Sequence, residues 1–153
     1  MTTLTIQPDK TAGRFLLSGE MNETLDLTPL MNTPSRVLIL NFKDMEFINS
    51  MGVKKWVNGI RALQAQGKTL EYEECSETFM GMCNMVPAFT QGVTVRSFEV
   101  VAQCPQCRKY LFKLLKTQEL DRNALPFEMT CTGCGTTALL DESTFAFMED
   151  LDA

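Results

Sequence analysis

The sequence predicts an α/β fold with a mixed, largely parallel sheet and packed helices, followed by a small cysteine-stapled unit. Three features carry that prediction: the apolar run RVLILNF at 36–42, a helical repeat directly after it, and two Cys-x-x-Cys pairs confined to the last third of the chain.

The elements follow in order. TLTIQ and GRFLLSG read as two short strands joined by PDKTAG, whose Pro, Asp and Gly suit an antiparallel hairpin. RVLILNF is continuously apolar rather than alternating, the pattern of a central strand covered on both faces. From Gly52 to Gly67, Val53, Trp56, Val57, Ile60 and Leu63 recur at helical spacing, with Lys54, Lys55, Asn58, Arg61 and Gln64 on the other side. Gly67 stops the helix. KTLEYEE (68–74) reads as a strand, Ser76 as an N-cap, and Phe79, Met82, Cys83 and Val86 as one face of a short helix ending near Pro87. VTVRSFEV (93–100) is expected to be the last strand. Strand, helix, strand, helix, strand at this spacing implies crossovers that build a parallel sheet. The expected domains are therefore 1–100 and 101–153, with Phe145, Met148 and Leu151 forming a short docking face near the acidic end.

Composition narrows the function. The chain has 153 residues, 44% hydrophobic and 22% charged, and lacks an apolar run long enough for a bilayer. MTTLTIQPDK has no basic segment followed by an apolar one, so a reducing cytoplasm is the expected compartment. The net charge of −5 argues against a chain that mainly neutralises phosphates. The sequence contains no histidine, which removes the commonest general base and the Ser/His and Cys/His nucleophile pairs. No paired-carboxylate motif or glycine-rich phosphate loop stands in its place, so no catalytic residue is predicted and the chain reads as a non-enzyme.

Cys104, Cys107, Cys131 and Cys134 form two Cys-x-x-Cys pairs separated by twenty-three residues. Two residues between cysteines let both thiolates of a pair reach one ion from a tight turn, and two such turns complete a tetrahedron. The expected cofactor is zinc in a small C-terminal zinc ribbon. Four cysteines fill its coordination shell, so the role is structural rather than catalytic. Gly133 and Gly135 are expected to permit the second turn, with positive φ where required. Disulfides and a redox pair are the rival readings, disfavoured by the expected compartment and by the lack of a helix after either pair. Cys75 and Cys83 lie outside the pattern and read as buried small hydrophobes. Arg108, Lys109, Lys113 and Lys116 form a local basic stretch, but residues 101–153 hold five basic and eight acidic side chains, net −3. Nucleic-acid binding through the ribbon is thus the second hypothesis.

LNFKDMEFINSMG (40–52) resembles the signature of STAS domains, the sulphate transporter and anti-sigma factor antagonist family, and LSGEM (17–21) and VRSFEV (95–100) extend the likeness over about two-thirds of the chain. A C-terminal four-cysteine ribbon is also found beside some STAS domains. In this alignment Asn41 stands at the strand aspartate, Phe47 and Ile48 at the apolar pair, Asn49 at the motif aspartate, Ser50 at the serine phosphorylated in antagonists, Met51 at a second serine and Gly52 at the glycine. The resemblance implies a bacterial signalling module that binds a protein partner, such as a kinase-type anti-sigma factor or a signalling complex, and is switched at Ser50. A partner-binding face is then expected over Asn49, Ser50, Met51, Gly52, Lys54 and Lys55, with Met80, Met82 and Met85 as an extension of it, although helix spacing assigns at least Met82 to the core. Both aspartates being amides, a constitutive scaffold with Ser50 or Asn49 as a plain helix cap is the alternative. A small-molecule ligand near the loop and the oligomeric state stay open.

Overall fold

The computed structural model describes residues 3–150, with side chains described through 148. The strands are β1 (Leu4–Pro8), β2 (Arg14–Met21), β3 (Val37–Asn41), β4 (Met45–Ile48), β5 (Thr69–Glu73), β6 (Val93–Val95), β7 (Ser97–Gln103), β8 (Tyr110–Lys116), β9 (Glu128–Thr130) and β10 (Thr137–Leu139). The helices are α1 (Thr28–Met31), α2 (Ser50–Ala65), α3 (Glu77–Met85) and α4 (Phe147–Asp150). The main sheet runs β1-β2-β3-β5-β6, with β4 also on β2; β1 is antiparallel and the other pairings are parallel. Two antiparallel pairs, β7 with β8 and β9 with β10, complete the chain. No described helix is long and apolar enough to cross a membrane.

The main sheet is buried on one face. Leu38, Leu40, Leu70 and Tyr72 point into the core, whereas Val37 is exposed and Ile39 and Glu71 are half-buried. The expected two-sided burial of RVLILNF is therefore corrected: the opposite face carries the ion pairs Arg14–Glu73 at 3.0 Å and Arg96–Glu71 at 3.1 Å, which keep that side polar. Both long helices pack on the buried face. Phe42 meets Trp56 of α2 and Tyr72 of β5 edge-on and stacks on Phe79 of α3. Within this cluster the Trp56 indole N–H donates to the Tyr72 hydroxyl at 3.2 Å, and that hydroxyl donates to the Phe89 carbonyl at 2.5 Å.

Local chemistry sets the element ends. The Ser76 hydroxyl caps α3 by accepting from the Phe79 N–H at 3.3 Å, and α2 ends before Gly67, whose φ of +85° admits glycine cheaply. The single strand expected over 93–100 is two. Arg96 hands the chain over: its N–H donates to Tyr72 of β5 and its carbonyl accepts from Thr117, after which β7 pairs with β8. β7 thus spans the expected boundary at residue 100. Phe98 on β7 packs edge-on against Phe145 and Phe147, and an isolated bridge joins it to Cys75. Phe145 and Met148 are buried, as expected of a docking face, and Leu151 lies outside the described residues.

Tyr72→Phe leaves a buried indole donor and a buried carbonyl without their shared partner. The expected loss is about 1–3 kcal/mol in a urea melt followed by emission of Trp56, the sole tryptophan.

Candidate functional sites

The first site is the turn that begins α2. Asn49 has extended backbone, and its side-chain oxygen accepts the Gly52 N–H at 2.8 Å, so Asn49 and not Ser50 is the helix cap. The Asn49 amide donates to the Glu23 carboxylate at 3.1 Å, and Lys55 donates to the Glu23 carbonyl at 2.5 Å. The Glu23 carboxyl is held below its usual range by its own backbone N–H, by Asn49 and by the nearby Lys55. Gly52 lies flat against β2: a Cβ there would sit 2.1 Å from the Met21 carbonyl oxygen. Only glycine permits that approach, and the Asn49 N–H donates to the same carbonyl at 3.1 Å.

These contacts decide what faces outward. Met45 and Ile48 are buried beneath the turn, while Phe47 is 53% and Met51 48% exposed, with exposed Ser50 between them in sequence. Lys54 is also exposed. Gly52 is buried and Asn49 half-buried, so these two shape the face while Ser50, Met51 and Lys54 offer it atoms. Asn41 is engaged elsewhere: its amide donates to Glu74 and its oxygen accepts the Lys43 N–H at 3.0 Å. Of the methionines expected to extend the face, Met80 is core, Met82 is half-buried against it and Met85 is exposed. Met80 is therefore a correction, since the inward stripe of α3 is Phe79, Met80 and Cys83.

The second site unites the four predicted cysteines. Their sulfurs all lie within 4.8 Å of one another, with Cys104–Cys134 at 3.5 Å and Cys107–Cys131 at 3.6 Å. A tetrahedron with metal–sulfur bonds of about 2.3 Å has edges of roughly 3.8 Å, whereas a disulfide needs about 2.05 Å. The separations fit a shared metal ion and no bridge. Both turns are built alike: the Cys104 N–H donates to the Lys109 carbonyl and the Arg108 N–H to Cys104, while the Cys131 N–H donates to Thr136 and the Gly135 N–H to Cys131. The residue after each pair has positive φ, +64° at Arg108 and +76° at Gly135. Gly133 does not, so the positive φ expected of the second turn falls on Gly135 alone.

The thiols are electrostatically unequal. Cys134 is pulled down to about 6 by the side chain and backbone N–H of Thr136, and Cys131 is lowered by the N–H groups of Cys134 and Gly133. The Lys109 N–H pulls Cys107 down, but the sulfurs of Cys131 and Cys104 beside it carry it up to about 11. Four thiolates this close ionise together only when a cation shares their charge. Cys75 and Cys83 are buried and their thiols pushed up by desolvation, as inert core groups are.

The structure thus assembles the four-cysteine cluster and the Ser50 turn as two distinct places. Sequence reasoning missed Glu23, which braces the turn from 26 residues away and has no local signal. It also missed Thr136, which the repeat of the two turns places beside Cys134. Comparison with family models, curated proteins and solved structures finds no match for this chain.

Elemental analysis of purified protein is expected to find about one divalent ion per chain, and Cys131→Ser to lose it. Full metal content in the variant would exclude Cys131 as a ligand.

Proposed function

We propose that this chain is a non-enzymatic bacterial signalling module of the STAS type, which binds a protein partner through the turn and helix start around Ser50 and is released when Ser50 is phosphorylated. One observation carries the reading: two large apolar side chains that flank Ser50 in sequence, Phe47 on β4 and Met51 in the first turn of α2, stand exposed where Asn49, Glu23 and Gly52 fix the turn between these elements. A pre-shaped apolar contact loses little conformational freedom on binding, and methionine adapts to the surface it meets. The order of strands and helices from β2 to β6 supports the likeness to STAS domains.

The switch follows from position. Ser50 is the first residue of a 16-residue helix, where unpaired backbone N–H groups and the helix dipole favour an added anion. Its own domain accepts a phosphate there; a partner packed on Phe47 and Met51 meets a dianion beside an apolar contact and loses affinity. The cysteine site holds zinc in this reading, because four thiolates at tetrahedral separation suit that ion and leave no open position for substrate. Zinc there supplies structural cross-linking of the two turns.

Tagged chain recovered from its own cells is expected to bring down a protein partner as wild type and as Ser50→Ala, and to lose it as Ser50→Asp or Met51→Asp. Thermal stability of these exposed variants is expected to stay within about 0.5 kcal/mol of wild type. Equal recovery by all four would leave the turn without a binding role.

A further inference from the structure

A second unpartnered surface lies on β8. The bonds from Cys104 N–H to the Lys109 carbonyl and from Thr117 N–H to the Arg96 carbonyl flank the β7–β8 ladder and fix its phase. In that phase the odd-numbered residues of β8 bond to β7, and the N–H and C=O groups of Tyr110, Phe112 and Leu114 face away. Among the described residues no strand pairs with this edge. The three side chains project from one face of the strand and are exposed, Tyr110 by 59% and Phe112 by 62%. Alongside runs a groove of about 520 Å³ bounded by β8 and by Glu128, Met129 and Thr130 of β9. β9 itself pairs only with β10 among the described strands.

The charge around this edge has one sign along β8. Residues 101–118 contain Arg108, Lys109, Lys113 and Lys116 and no acid, in a chain of net charge −5. All four basic side chains are exposed, and among the described residues Lys113 and Lys116 make no ion pair. Glu128 across the groove is the single acid lining it. Exposed sheet edges often carry lysines to discourage pairing, but a free edge that also exposes three large apolar side chains is a template for another strand.

We infer that the outer edge of β8 receives an extended peptide of alternating apolar and acidic side chains, which adds to the hairpin as a strand. Its backbone completes the free ladder of 110, 112 and 114. Its apolar side chains lie beside Tyr110, Phe112 and Leu114, and its carboxylates, on the other face, lie beside Lys113. This surface is independent of the Ser50 turn and requires no phosphorylation.

The test is an anisotropy titration of the metal-loaded full chain with a labelled, end-blocked octapeptide of alternating valine and aspartate. The same peptide methylated on the backbone nitrogens of one edge, an alternating valine–lysine peptide and an oligothymidine serve as comparisons. The valine–aspartate peptide is expected to bind, and edge methylation to weaken it at least tenfold. Phe112→Pro, which removes one outward N–H and no β7 bond, is expected to do the same. Lys113→Glu, an exposed change that leaves the backbone intact, is expected to weaken the aspartate peptide and to favour the lysine peptide. Tighter binding of oligothymidine would overturn the proposal in favour of a nucleic-acid surface, and a dimer broken by Phe112→Pro in light scattering would assign the edge to a second copy. No binding of the aspartate peptide, or equal affinity for its methylated form, would also overturn it.

Discussion

Phe42 is the point on which the α/β frame depends. It follows the last residue of β3, is fully buried, and touches the tryptophan of α2, the tyrosine of β5 and a phenylalanine of α3. Two helices and two strands are thereby referred to one ring. The chain leaves Phe42 directly into the segment that ends in Ser50, so the packing that fixes the core also fixes where the turn begins. Met45 and Ile48 anchor its middle, and the contact of Gly52 with Met21 anchors its end. Phe47 and Met51 are what remains outside. Their exposure is thus a consequence of the frame and not of a loose loop.

The second half of the molecule hangs from β7. Its inward residues Phe98, Val100 and Ala102 are buried, and Phe98 receives both Phe145 and Phe147 from the end of the chain. One continuous apolar cluster therefore reaches from the main sheet to Leu111, Ala138 and Met148. Within the two Cys-x-x-Cys turns themselves only Cys104 and Cys131 are buried. Two short turns with exposed loops have little apolar area to bury, and the four clustered sulfurs form a place where a shared metal ion would substitute for it. The β9–β10 pair is only three residues long on each side, too short to persist without such a staple.

Much of this was legible in the residues because local chemistry and global packing agree. The hairpin of β1 and β2, the stripe Trp56, Ile60 and Leu63, the Ser76 cap, the stop at Gly67 and the four-cysteine cluster each follow from a pattern with a mechanism. The misses have physical reasons too. β4 buries only its two ends, Met45 and Ile48, a pattern of neither period two nor a continuous run. The break at Arg96 falls inside an unbroken strand-forming sequence, because what changes there is the pairing partner and not the backbone preference. Arg108 occupies a positive φ where its counterpart is Gly135, so composition alone did not mark the first turn. At the Ser50 turn, sequence named Ser50, Met51 and Lys54 but placed neither Phe47 on the outward face nor Glu23 beneath it, since an exposed strand residue and a brace from a distant loop leave no periodic trace.

The functional account joins a rigid apolar face to a serine placed where charge is tolerated by its own helix and not by a neighbour. Its central claim is that the face at the start of α2 is covered by a partner in the cell. Photo-crosslinking tests this most directly, with the reactive group placed at Met51 in one strain and at Arg61, exposed further along the same helix, in another. The account predicts one discrete crosslinked protein from position 51 and none from position 61. No product at 51, or the same set of products from both positions, would contradict it.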